Sequence, residues 1–149
     1  MANLHASLRE GSPVKVYVAG QIEDTAAVVN VQQRVVSAGH ELTHDWTKDL
    51  DLTEDYASRV EESTQIAKTD LGGVMDADAV LVLASSAEPG RGLFVELGAA
   101  IARAELGLLD HVVVVGAIQH ETVFYFHPRV RRVGTIHEWL ALIAPDATT

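Results

Sequence analysis

Ala79-Val80-Leu81-Val82-Leu83 is five apolar residues in a row, entered through Asp76 and Asp78 and left through a polar loop over residues 84–92. A strand with one wet face would alternate, so a run that is apolar on both faces needs cover on both. That is the situation of a central strand in a parallel sheet between helical layers. His111-Val112-Val113-Val114-Val115 repeats the pattern. Upstream, residues 14–19 (VKVYVA) form a β-branched run that ends at Gly20, and a polar turn over residues 21–24 leads into a helical stretch over residues 25–38. Gly39 is placed to end that helix, and residues 41–44 read as a second, shorter strand.

A long helix is expected from Thr53 as cap, with Glu54 and Asp55 in its first turn, to about Met75. Tyr56, Val60, Ser63, Ala67, Leu71 and Val74 would be its buried stripe. A third helix starts near Leu93 and is apolar almost all round to Ala102, which predicts deep burial. Residues Val130–Val133 read as an edge strand, and Thr135 with Glu138 forms a capping-box pattern that opens a last helix through Ile143. Strands that alternate with helices give an α/β fold: a single doubly wound, parallel sheet of four or five strands, helices on both faces and right-handed crossovers. Ligands in such sheets collect at the carboxyl ends of the strands, which here means the loops over residues 20–24, 45–53, 84–92 and 116–128.

A chain of 149 residues, 48% apolar and without repeats, is one domain by size. Residues 1–12 read as an N-terminal extension and residues 13–149 as the domain. The net charge of −10 repels polyanions, so nucleic-acid polymers and anionic membranes are poor partners. Zero cysteines exclude disulfides and thiol catalysis. The first dozen residues lack the apolar core of a signal peptide, and no apolar run approaches membrane-spanning length, so a cytoplasmic protein is expected.

Glu96 is the most informative residue. It is the one charged side chain between Leu93 and Ala102, just after the turn Pro89-Gly90-Arg91-Gly92, in a helix that otherwise calls for burial. Burying a carboxylate costs several kcal/mol by the usual estimates unless it is compensated, and a helix N-terminus compensates in part. Either this acid points to solvent or it serves a site. Asp70 lies beside the expected stripe; it faces inward toward the strand ends, or it borders solvent and interacts with Lys68 or a backbone amide. Tyr17, within the first strand, is a core residue whose hydroxyl needs a partner, such as Glu96. Trp46 stacks on a flat ligand or fills the core. The seven histidines show no metal-ligand spacing, so no metal is expected. No dinucleotide fingerprint or Walker lysine is present, so no cofactor is expected either. The turn Gly90-Arg91-Gly92 is a candidate cradle for a small anion. Two inward carboxylates and a buried tyrosine without a metal suit chemistry at an anomeric carbon, where one carboxylate attacks or stabilises an oxocarbenium-like centre.

Val16-Tyr17-Val18-Ala19-Gly20, then Thr69-Asp70-Leu71 ahead of Ala77-Asp78-Ala79-Val80, then Gly92-Leu93-Phe94-Val95-Glu96-Leu97-Gly98 occur in an order and spacing that resembles the nucleoside 2-deoxyribosyltransferase family. That family includes the 2′-deoxynucleoside 5′-monophosphate N-glycosidases. The segment Val123-Phe124-Tyr125-Phe126-His127-Pro128, ahead of a helix bearing Trp139, is similar to that of some bacterial and phage members. The resemblance implies a flavodoxin-like sheet and a homodimer or higher oligomer, in which a neighbouring subunit helps close each site. It implies Glu96 as the nucleophile at C1′ of a (deoxy)nucleoside or its monophosphate, with Tyr17 orienting it. Asp70 would contact the sugar hydroxyls or take part in proton transfer to the base. Gly20, Gln21, Trp46, Gly90, Arg91 and Gly92 would line the substrate site, and no cofactor is implied.

The chain departs from the family at points that bear on specificity. Gly90 and Arg91 stand where transferases often carry an acid, and Gln21 and Gly90 stand where the monophosphate glycosidases carry serines. Two rival readings remain. One is a cytokinin-activating-type phosphoribohydrolase, whose PGGxGTxxE signature is similar to residues 89–96 less one glycine and the threonine. The other is a non-catalytic nucleotide-binding module on the same fold.

Overall fold

In the computed structural model, residues 12–145 are described. The N-terminal extension expected over residues 1–12 therefore lies outside them, but for Ser12. Five strands form one parallel sheet: β1 (Lys15–Ala19), β2 (Glu41–Leu42), β3 (Ala79–Leu83), β4 (His111–Val115) and β5 (Val130–Val133), in the order β2-β1-β3-β4-β5. Every residue of β3 is buried, as are four of the five in β4, because helices cover both faces. The connecting helices are α1 (Thr25–Ser37), α2 (Val60–Met75) and α3 (Arg91–Glu105), and α4 (Ile136–Ile143) follows β5. α1 packs with α4, and α2 packs with α3. The sheet is the flavodoxin-like arrangement, and the strand order reverses between β1 and β3. At that switch the loops after the two strands diverge and leave a crevice.

Local chemistry sets several boundaries. Gly39 takes φ of 93°, a left-handed conformation that ends α1 as expected. The Thr135 hydroxyl accepts from the Glu138 amide at 3.3 Å, and the Glu138 carboxylate reaches back to the Gly134 amide, so α4 starts on a reciprocal cap. Asp78 accepts from the Lys15 amide at 3.0 Å and ties the entry of β3 to β1.

Three expectations are corrected. α2 begins at Val60, not at Thr53. Asp55 sits at φ of 58°, Tyr56–Ser58 forms a 3-10 turn, and the Tyr56 and Ser58 hydroxyls bond to nearby carbonyls in place of a helical ladder. The inward face of α2 is rotated from the expected stripe: Val60 is 64% exposed and Leu71 is also exposed, while Ser63, Ile66, Asp70, Gly73 and Val74 turn inward. α3 is not buried all round, because Leu93, Leu97, Ala100, Ile101 and Ala104 face the core but Phe94 and Val95 lie exposed on its outer flank.

Gly73 lets α2 come close to the sheet. A Cβ there would lie 2.6 Å from the Tyr17 ring and 2.9 Å from His44 Cβ. Gly73→Ala is therefore expected to destabilise the protein by about 1–3 kcal/mol through overpacking, read from the urea midpoint. Gly72, whose added Cβ would meet nothing within 4 Å, is the internal control. Gly72→Ala should instead stabilise by up to about 1 kcal/mol through helix propensity. Equal effects at the two positions would remove the close-approach explanation.

Candidate active site

Tyr17 lies in the middle of β1 with its ring fully buried on the face covered by α2 and α3, against Gly73. Its hydroxyl donates to Glu96 Oε1 at 3.1 Å, across 79 residues of sequence. Glu96 stands on the second turn of α3, held inward by the burial of Leu93 and Leu97 on the same helix face. Burial drives its carboxyl up to about pKa 8; the Tyr17 hydrogen bond opposes that rise, and the charge of Asp70 adds to it. Tyr17 is itself pushed far upward by burial and then by Glu96 and Asp70, so it remains a phenol and a donor.

Asp70 projects from the inward face of α2 and contacts His44, with Nε2 to Oδ1 at 3.3 Å. Its carboxyl is raised by burial, and His44 pulls it back toward the ionised form. Asp49 lies farther out, 3.9 Å from the same His44 nitrogen. Trp46 is held across the end of β1 by a 2.7 Å bond from its Nε1 to the Val18 carbonyl. Asp45 locks the turn below it by accepting from Thr47 and from Gln32.

These parts bound a cavity of about 520 Å³ at the switch point. Glu96 and Asp70 line it, and so do Gly20, Gln21, Trp46, Gly90, Arg91 and Gly92, which are the residues expected from the sequence. Leu50, Leu52 and Ile66 add an apolar wall beside Trp46. The solvent-pointing alternative for Glu96 is excluded, and the partner of Asp70 is His44 rather than Lys68. The loop over residues 116–128, expected at the ligand end, contributes nothing to this cavity. Metal-ligand spacing, which His44 lacks, is the wrong signal for this residue. Its position at the end of β2, one of the strand ends where ligands collect, is the signal that sequence reasoning missed. Among the described residues no cluster of three or more His, Asp or Glu could hold a metal ion, and no helix is long and apolar enough to cross a membrane.

The family model for nucleoside 2-deoxyribosyltransferases matches residues 16–127, which run from β1 through the whole of this cavity. The chain belongs to that family. Among solved structures, this family member is similar to a 2-deoxyribosyltransferase from the psychrotolerant bacterium Bacillus psychrosaccharolyticus, with a TM-score of 0.67 at 17% identity over 91% of this chain and 99% of that one. A conserved protein of Enterococcus faecalis V583 gives a TM-score of 0.68 at 16% identity, over 89% and 98% of the two chains. The CMP N-glycosidase BcmB of Clostridium botulinum gives 0.54 at 13% identity, over 87% and 97%. At these identities the likeness is one of fold. Comparison with curated proteins gives no match.

Proposed function

We propose that this nucleoside 2-deoxyribosyltransferase family member is an enzyme that cleaves or exchanges the N-glycosidic bond of a nucleoside or nucleotide, with Glu96 as nucleophile. The carrying observation is the half-buried Glu96 carboxyl, bonded to Tyr17 and facing the cavity shared with Asp70. A flat base rests on the wall of Trp46, Leu50, Leu52 and Ile66, which brings C1′ to Glu96. The Glu96 oxygen bonds to C1′ as the C1′–N bond breaks, and the bond pair leaves on the base nitrogen, which takes up a proton. Tyr17 holds the attacking carboxylate in line, while Asp70, oriented by His44, meets the sugar hydroxyls or takes part in moving that proton. Attack of water on the glycosyl ester releases the sugar and restores Glu96. Attack by a second base gives a new nucleoside.

Incubation with each nucleoside and deoxynucleoside, with and without a 5′-phosphate, should release free base detectable by chromatography. Adding a second base separates transfer from hydrolysis. No release or exchange from any of them would sink the reading in favour of a binding module. The same reading expects a homo-oligomer, and the exposed Phe94, Val95 and Phe124 offer apolar surface for a second copy. A monomer in sedimentation at micromolar concentration would remove that part.

A further inference from the structure

Asp70, His44 and Asp49 form a row that runs outward from the neighbourhood of Glu96. His44 Nε2 lies 3.3 Å from Asp70 Oδ1 and 3.9 Å from Asp49 Oδ2, and Asp49 is exposed where Asp70 is half-buried. The apolar wall of Leu50, Leu52 and Ile66 belongs to the same cavity. A base whose glycosidic nitrogen faces Asp70 and whose ring lies on that wall therefore turns an edge toward Asp49, Tyr56 and Ser63, the polar side chains that the loop after β2 and the start of α2 bring to the lining.

The hydrogen-bonding capacity of this end is one-sided. The Asp49 carboxylate accepts only. The Tyr56 hydroxyl donates to the Thr53 carbonyl at 2.9 Å and the Ser63 hydroxyl donates to the Tyr56 carbonyl at 2.9 Å, so each has spent its one proton and keeps lone pairs. Trp46 Nε1 is committed to the Val18 carbonyl, and His44 Nε2 is buried beside its two carboxylates. The other side-chain donors of the lining, Gln21 and Arg91, stand after β1 and at the start of α3, and the Gln21 oxygen is fixed there by the Gly90 amide at 2.8 Å. A keto oxygen turned to the outer end meets oxygens, whereas an exocyclic amino group meets acceptors, one of them charged. The competing donors on this wall are the backbone amides of Leu50 and Leu52.

We infer that Asp49 is a specificity-determining residue that selects a base with an exocyclic amino group, of the cytosine or adenine class, over its keto counterpart, of the uracil or hypoxanthine class. This rests on the N-glycosidic reading above. The test compares cytidine with uridine and adenosine with inosine, each as ribo- and 2′-deoxynucleoside, through kcat/KM for base release by the wild-type protein and Kd of Glu96→Gln protein by calorimetry. In a pair that the protein accepts, both should favour the amino member by about tenfold, the scale of one hydrogen bond to a charged acceptor. Asp49→Asn offers a donor beside its carbonyl and should bring the ratio near one. The leaving groups are the same for both proteins, so their intrinsic reactivities cancel in that comparison. Asp49→Ala, which offers neither donor nor acceptor, should narrow the ratio by weakening the amino member alone, whereas a merely structural role would weaken both members equally. A wild-type preference for the keto member, or an amino preference that both substitutions leave in place, overturns the inference and passes the reading of the base to the Leu50 and Leu52 amides. Absent turnover with the Kd ratio intact would overturn the catalytic reading and leave Asp49 as the selector of the bound base; turnover with equal kcat/KM and equal Kd for the two members would do the reverse.

Discussion

Glu96→Gln is expected to abolish base release and exchange while making the protein more stable at pH 8. Glutamine keeps the shape and can still accept from the Tyr17 hydroxyl, but its amide cannot form the glycosyl ester. The loss should be about 10³-fold or more in kcat, as for removal of a nucleophile. The stability gain follows from proton linkage. The folded protein holds the Glu96 proton up to about pH 8, whereas an ordinary glutamate releases it near 4.5. Between those values the folded state binds more protons than the unfolded one, so stability is full below about 4.5 and falls as pH rises through the window. Glutamine has no proton to lose. Its advantage should be near zero at pH 4.5 and grow to on the order of a few kcal/mol by pH 8. Thermal melts of both proteins at the two pH values measure it. A variant that keeps its turnover would move the attacking role elsewhere, and a Tm difference that ignores pH would mean that Glu96 is not held protonated by the fold.

The second large effect is on the rate as a function of pH. Attack needs the carboxylate, and with a pKa of about 8 only about a tenth of the free enzyme carries it at pH 7. The kcat/KM for base release should therefore climb about tenfold per pH unit below 8 and level above it, so that activity at pH 6 is about fifty-fold below its pH 8 value. Tyr17→Phe removes the hydrogen bond that opposes the rise, so its midpoint should lie higher than that of the wild type. A purely structural role for Tyr17 would lower activity without moving the midpoint. A profile flat from pH 5 to 9 would show that ionisation of Glu96 does not gate the reaction.

The exposed flank of α3 and the late start of α2 share a cause. Hydrophobic periodicity says that a face is apolar but not what covers it, and Phe94 and Val95 are apolar residues left exposed on the helix surface. Tyr56 and Val60 fit a helical stripe by spacing, yet the left-handed Asp55 and the hydroxyl-to-carbonyl bonds of the following turn hold the segment out of the helix. Glu96 was legible because a carboxylate is anomalous in so apolar a helix. His44 was less so, since a histidine is not out of place at the end of a strand, and Gln21 entered only through the family resemblance.

The residues alone determined the order of strands and helices, the parallel sheet and the presence of an acid in an apolar helix, because these follow from patterns that repeat within a few positions. Only the tertiary structure decided that Glu96 meets Tyr17, that Asp70 meets His44 and that Gln21 takes the Gly90 amide. Those partners stand 26 to 79 residues apart, and contacts at that range depend on how whole elements pack, to which local spacing is blind.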